Sequence, residues 1–411
     1  MKESEIKRSK VLDVLSIYVP SFFNMLGMAI VSPILPIFAL SFDVSFALAS
    51  LAISMYAFGR FLADLPVGMA SDRVGRKRVM LVGAAILAVM ALLNANARGF
   101  WEFLAYRFIQ GVGASMWMTG RQTLLADILK PEDRGRILGY FQTFNLIGQS
   151  AGPTIGGIVA TLWGLQATFY FFSLTAAITF LLTLVWVQEP KNLKQRKKGE
   201  DHFSPETVKR LLSNRTYAMA CLATFTVFFM RTGIISTMVP LYADIVLHLS
   251  SAEIGTVVSY ATLINLALAI PVGYAIDYFG RKPMIVRSLL VTTLAAFVFP
   301  MTSDYFQISL ACALLGVGTS GAGQAPLALA TDATINEPHG LSMGIYRLFG
   351  DVALVVGPIL VGVIADNSGL RTPFYFVAAI ILVNAVLLAL FAKETYQRRQ
   401  RKKETMKDTK D

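Results

Sequence analysis

Long apolar runs broken by short polar loops leave this chain few ways to fold. A helix needs about 20 predominantly apolar residues to cross a bilayer. A window of that size finds twelve such segments, at residues 12–40, 46–69, 79–97, 101–124, 137–160, 165–187, 216–241, 253–273, 284–302, 306–330, 341–365 and 371–392. In hydrocarbon each backbone N–H and C=O must find its partner within the segment, so the spans are expected to be helices. Only 15% of the 411 residues are charged and the mean hydropathy is +0.57, which leaves no room for an ordinary soluble core. The expected fold class is an all-α, multi-pass membrane protein with twelve transmembrane helices. The opening "MKESEIKRSK" resembles the basic start of a signal peptide, but the apolar stretch behind it is too long and lacks a small-residue cleavage site, so it reads as a retained first span.

A net charge of +11 suggests nucleic acid until the charges are located. Of 37 Lys and Arg, 31 fall in loops or tails on the N-terminal side of the predicted membrane, Arg121 and Arg287 being counted with the loops that adjoin their spans. The opposite side holds only Arg98 and Arg371. That asymmetry orients a membrane protein with both termini in the cytoplasm, in the cell membrane, and gives no role to nucleic acid. The two cysteines, Cys221 and Cys312, lie inside apolar runs, so no disulfide framework is expected.

A polar stretch at 188–213 divides the chain into 1–187 and 214–392, with a basic tail at 393–411. Within that linker Ser204 and Pro205 mark the start of a short surface helix. The halves also repeat. At an offset of 205, Gly68, Asp72, Gly75, Arg76 and Lys77 map onto Gly273, Asp277, Gly280, Arg281 and Lys282. In the same register Gly111 and Gly113 map onto Gly316 and Gly318, Asp127 onto Asp332, and Gly152-Pro153 onto Gly357-Pro358. One offset held over so long a stretch implies two copies of a six-helix unit, a design used by many secondary transporters.

Three motifs give the repeat a family. The loop after span 2 reads Gly68-x-x-x-Asp72-Arg73-x-Gly75-Arg76-Lys77-Arg78; span 4 carries Arg107-x-x-Gln110-Gly111-x-Gly113-Ala114; span 5 carries Gly148-x-x-x-Gly152-Pro153-x-x-Gly156-Gly157. Together they resemble the major facilitator superfamily, and the third is most similar to its 12-helix drug and proton antiporter branch. The resemblance implies two pseudo-symmetric six-helix bundles that alternately expose one passage, acting as a monomer. It implies a conformational latch at Gly68, Asp72, Arg73, Gly75, Arg76, Asp277 and Arg281, which joins the halves on the cytoplasmic side and breaks when the protein faces inward. It implies a hinge at Gly148, Gly152, Pro153, Gly156 and Gly157, and a proton-coupling or substrate-orienting role for Arg107.

Each motif also has a plainer reading. The loop cations fix topology by themselves. Glycines four apart on one face allow ordinary close packing of helices, and Pro153 bends its helix by removing a backbone donor. Arg107, whose repeat partner is the uncharged Cys312, either serves one half in particular or bonds carbonyls of a neighbouring helix.

Ionisable groups inside a span are costly and mark functional sites. Arg60 and Asp64 in span 2, and Arg347 and Asp351 in span 11, are each spaced for an intrahelical pair. At about 1.5 Å per residue, Asp64 and Arg347 lie at one depth and Arg60 and Asp351 at another. The resemblance sets spans 2 and 11 face to face, so crossed pairs Asp64–Arg347 and Arg60–Asp351 are the second reading: a cytoplasmic gate that parts when a carboxylate takes a proton. Asn24, Gln142, Asn145, Gln149, Arg231, Asn265 and Gln324 are candidates for a substrate cavity, or else satisfy neighbouring helices.

No nucleophile elbow, His-Glu-x-x-His pair or phosphate loop is present, so the sequence gives no sign of an enzyme, a cofactor or a metal site. The expected partners are a small-molecule substrate, protons and membrane lipids. The expected function is alternating-access, proton-coupled efflux of small hydrophobic or amphiphilic compounds. Four span arginines against Asp64 and Asp351 keep an anionic metabolite carrier or a lipid flippase open as alternatives, and a transport-inactive sensor as a remote one.

Overall fold

The computed structural model describes the backbone of residues 2–128, 134–189, 205–335, 337 and 339–395, and the side chains there except at 2–16, 72, 126–128, 134–136, 138 and 339. Every regular element among them is helical. The first half comprises α1 (Lys2–Val31), α2 (Leu35–Leu40), α3 (Phe46–Val74), α4 (Arg76–Ala95), α5 (Phe100–Ile128), α6 (Arg134–Trp163) and α7 (Leu165–Trp186). A short helix, α8 (Pro205–Ser213), follows, with Pro205 as its first residue. The second half comprises α9 (Arg215–Met230), a π-helical segment (Arg231–Met238), α10 (Val239–Ile245), α11 (Ser251–Phe279), α12 (Arg281–Val298), α13 (Tyr305–Ala333), α14 (His339–Ser368) and α15 (Thr372–Phe391).

Among the described residues nine helical stretches are long and apolar enough to cross a membrane. Helices α5 and α6 are as long, at 29 and 30 residues, but carry more polar groups. Two expected spans are not single helices. The span at 12–40 breaks between α1 and α2, where Pro33 and Pro36 deny the backbone two donors. The span at 216–241 changes to π geometry from Arg231 to Met238. Pro240 cannot donate back into the ladder there, and the Thr237 hydroxyl donates to the Thr232 carbonyl at 2.7 Å.

The sharp loops are shorter than polarity suggests. Only Gly75 separates α3 from α4, and only Gly280 separates α11 from α12, at φ of 107° and 98°. A side chain is strained at such angles, so glycine lets one helix end and the next begin without a linker.

Fully buried apolar residues sort into two main clusters, one drawn from residues 17–187 and the other from 211–392. The sequence repeat survives in three dimensions. A β-carbon on Gly111 of α5 would strike the Tyr56 carbonyl of α3, and one on Gly316 of α13 would strike the Ala261 carbonyl of α11, the same contact in each half. The halves meet where α3 packs on α14 and α6 on α11. At the end away from the termini these pairs are close: Asp366 accepts from the Phe46 and Ala47 amides at 2.8 and 3.0 Å. There too the Ala252 amide donates to Thr161 at 3.0 Å, and Gly157 leaves no room for a side chain against Ser251. At the end that carries the termini, β-carbons on Gly68, Gly139, Gly273 and Gly344 would meet nothing within 4 Å. The two halves are therefore in close contact at one end and leave free space beside these glycines at the other.

Candidate functional site

Helix α3 places Arg60 at its midpoint, and α14 places Asp351 opposite. The Arg60 guanidinium donates to Asp351 at 2.6 Å, with each side chain 21% exposed. No ion pair forms within either helix among the described residues, so of the two arrangements compatible with the spacing this pair takes the crossed one. The second crossed pair does not form. Asp64 instead accepts the Ser115 hydroxyl of α5, because Gly111 brings α5 hard against α3 one turn earlier. Arg347 acts on Asp64 only as a nearby charge. Gly68 and Gly344 share helical faces with the ion pair and look into open space, so the pair is intact while the helix ends beside it stand apart. It forms the floor of the opening.

Beside the floor lies a cavity of about 370 Å³ between the halves, within the size range of small-molecule sites. Gln142 and Gln149 reach it from α6, Arg231 from the start of the π segment, Asn265 from α11 and Gln324 from α13. Leu146, Val227, Met230 and Ile235 supply an apolar wall. Two cavity candidates lie elsewhere. Asn24 on α1 is fully buried with neither amide atom bonded, and the Asn145 carbonyl oxygen of α6 is likewise buried and unbonded. Their helical phase turns them into the first bundle.

Arg107 sits deeper, 6% exposed, donating from Nε to the Ala52 carbonyl at 3.2 Å and from a terminal nitrogen to Gln110 at 2.6 Å. Its guanidinium lies over the Tyr56 ring at 4.7 Å and lines a smaller cavity of about 130 Å³ that Ser236 of the second half completes. Arg121 corrects the charge census. It is not a loop residue but a buried part of α5, 3% exposed between the rings of Trp117 and Phe141. Stacking on two aromatic faces partly replaces the water it has lost.

Two long bundles, a common passage and an intramembrane ion pair describe a carrier, and comparison with known proteins decides its family. The family model described as Major Facilitator Superfamily matches residues 17–252 and 221–410. The chain belongs to that superfamily. This transporter is 25% identical over 386 residues to multidrug resistance protein MdtG of Enterobacter lignolyticus, covering 92% of this chain and 91% of that one. It is 22% identical over 378 residues to quinolone resistance protein NorA of Staphylococcus aureus, covering 91% and 95%. Its fold matches a bacterial homolog of the human lysosomal transporter Spinster, solved in an inward-facing and occupied conformation, with a TM-score of 0.76 at 15% identity over 93% of this chain and 96% of that one.

The family's loop motif is held from below in both halves of this transporter. The Glu189 carboxylate, just past α7, accepts the Arg76 and Lys77 amides at 2.7 and 2.8 Å. Glu394, just past α15, accepts the Arg281 and Lys282 amides at 3.1 and 2.9 Å. Each acid caps the first turn of the helix after the left-handed glycine, where an anion is favoured. The two glutamates stand 205 residues apart, so the register already found in the sequence contained them. Arg281 also pairs with Asp277 at 3.3 Å and Asp332 at 3.1 Å, both within the second half. Asp72 lies outside the described side chains, and Arg73 is exposed. Gly68, expected to make room for a tight turn, is helical and faces open space, so it meets no steric demand in this conformation.

The glycines of α6 serve two neighbours. β-Carbons on Gly148, Gly152 and Gly156 would collide with Phe22, Ala29 and Ile30 of α1. Gly157 faces Ser251 and Gly255 of α11, and the Gly255 site is in turn closed by the Pro153 carbonyl. One helix therefore touches its own bundle through one set of small residues and the opposite bundle through another.

Proposed function

We propose that this transporter exports small hydrophobic or amphiphilic compounds in exchange for protons, exposing one central cavity to each side of the cell membrane in turn, as a monomer with both termini in the cytoplasm. The observation that carries this reading is the Arg60–Asp351 pair, a titratable tie between the two bundles at mid-helix beside the cavity. A proton on Asp351 removes most of the attraction across the interface and biases the rocking equilibrium. Asp64 offers a second carboxylate one turn away, held by Ser115 and within the fields of Arg60 and Arg347. Arg107 orients the inner end of the passage, and Pro153 and Gly157 of α6 supply the surface on which α11 pivots, while Gly148, Gly152 and Gly156 hold α6 to α1. The loops at Gly75 and Gly280, braced by Glu189 and Glu394, act as rigid ends of the latch. The names of the relatives, multidrug and quinolone resistance proteins, point to the same activity.

Dye uptake into inverted vesicles under an imposed pH gradient tests the reading. Wild-type vesicles should accumulate dye only with an acidic interior, and Asp351→Asn should lose the dependence on the gradient. Accumulation that ignores the gradient in the wild type would remove the proton from the mechanism. The excess of arginine around the passage keeps a second reading, carriage of an anionic metabolite or flipping of an anionic lipid, and the same vesicles loaded with organic anions or labelled lipid separate the two.

A further inference from the structure

Among the described residues the central cavity has one charged group in its lining, Arg231, and no acid. Among the described residues its guanidinium makes no ion pair and no hydrogen bond, whereas Arg60 is neutralised by Asp351 and Arg107 is held by Gln110 and a backbone carbonyl. The charge nearest to Arg231 in effect is another cation, Arg60. A guanidinium left unpaired at this depth is costly, and such a group persists where water or a ligand reaches it. Around it the amides of Gln149 and Gln324 are uncommitted, and Asn265 spends one donor on Thr319 at 3.2 Å and keeps its carbonyl free. Amides can donate to an anion as well as accept from a neutral group, but none neutralises a cationic guest. The helix changes from α to π geometry at Arg231 itself, a distortion found at functional sites more often than elsewhere.

We propose that this cavity selects organic acid anions: an ionised planar acid group paired with Arg231 in the two-pronged manner a guanidinium allows, and an apolar body against Met230 and its neighbours. The proposal rests on the reading of the cavity as the substrate site and narrows it to one charge class. Amphiphilic cations, by contrast, meet an uncompensated positive charge.

A matched series tests it with the purified full-length chain: 2-naphthoate, its methyl ester and 2-naphthylmethylamine, titrated calorimetrically. The carboxylate should bind at least about tenfold more tightly than the other two. Arg231→Gln should bring the carboxylate to the level of the ester and leave the ester unchanged, and Arg231→Lys should keep part of the preference. Equal binding of carboxylate and ester, tightest binding of the amine, or a preference that survives Arg231→Gln would overturn the proposal. A thermal melt of Arg231→Gln that matches the wild type excludes misfolding as the cause. Should none of the three bind, the electrostatics are read without a ligand. Thr262→Cys lines the cavity and both native cysteines are buried, so its reaction with an anionic and a cationic methanethiosulfonate, each normalised to free cysteine, reports the local field. The anionic reagent should be favoured, and adding Arg231→Gln should cut that ratio by about tenfold; an unchanged ratio sinks the idea. Tightest binding of the amine defeats this inference and leaves proton-driven transport standing, while pH-independent transport defeats the latter and leaves the anion preference in place.

Discussion

Arg60 and Asp351 are each tolerable inside a membrane because each is the other's counter-ion, and that mutual dependence makes them testable. Removing one partner strands the other, so Arg60→Gln and Asp351→Asn should each lower stability by about 1–3 kcal/mol, less than for a fully buried pair because both side chains are 21% exposed. Exchanging the two residues should restore thermal stability above either single change. A double exchange no better than the singles would mean that their contact is incidental. Glu189 makes a second residue-scale case. It caps two amides of α4, and Glu189→Gln should cost about 1 kcal/mol in a thermal melt, with Glu394→Gln costing a similar amount through α12. Neither glutamate is conspicuous in the sequence, since each lies outside the motif window, Glu189 among the charges of the linker and Glu394 among those of the tail. The offset that relates them is the one that relates the glycines.

Helices carry the next level of constraint, and the two classes of glycine in this chain separate packing from motion. Gly156 has the Ile30 carbonyl where a β-carbon would go, so Gly156→Ala should destabilise the detergent-purified protein by about 1–3 kcal/mol through overpacking of α6 on α1. Gly68 has open space, so Gly68→Ala should leave the melting temperature of this open form within about a degree of wild type; if it alters anything, it alters transport, because the space closes only when the mouth does. The existence and order of the helices were legible because apolar windows and a single repeat register are long-range signals that no one residue can spoil. What escaped was local. Two prolines split the first span, the helix rewinds to π geometry at Arg231, and Arg121 sits inside α5 under two rings although its charge suggested a loop. The crossed pairing was half legible. Matching depth predicts which residues can meet, but Ser115, brought close by Gly111, takes Asp64 before Arg347 can.

At the scale of the whole molecule, two similar bundles share one cavity, and their contact is asymmetric: tight where α3 meets α14 and α6 meets α11 far from the termini, loose where the same helices approach the termini. The proposed alternating access requires a second state in which the tight and loose ends exchange. On that proposal the Arg60–Asp351 pair, which lies between the two ends, suits a tie that regulates the motion without blocking either mouth. Rigid-body exchange makes a quantitative demand, since labels at opposite ends of the interface must move in opposite senses. Spin labels on Gly68 and Gly344 report the mouth near the termini, and labels on Asp43 and Asn367 report the far end. Distances measured by double electron–electron resonance in nanodiscs, as pH falls or the pH gradient is reversed, should show the first pair closing while the second opens. Two pairs that lengthen together, or that both stay fixed across conditions in which dye transport proceeds, would contradict the account.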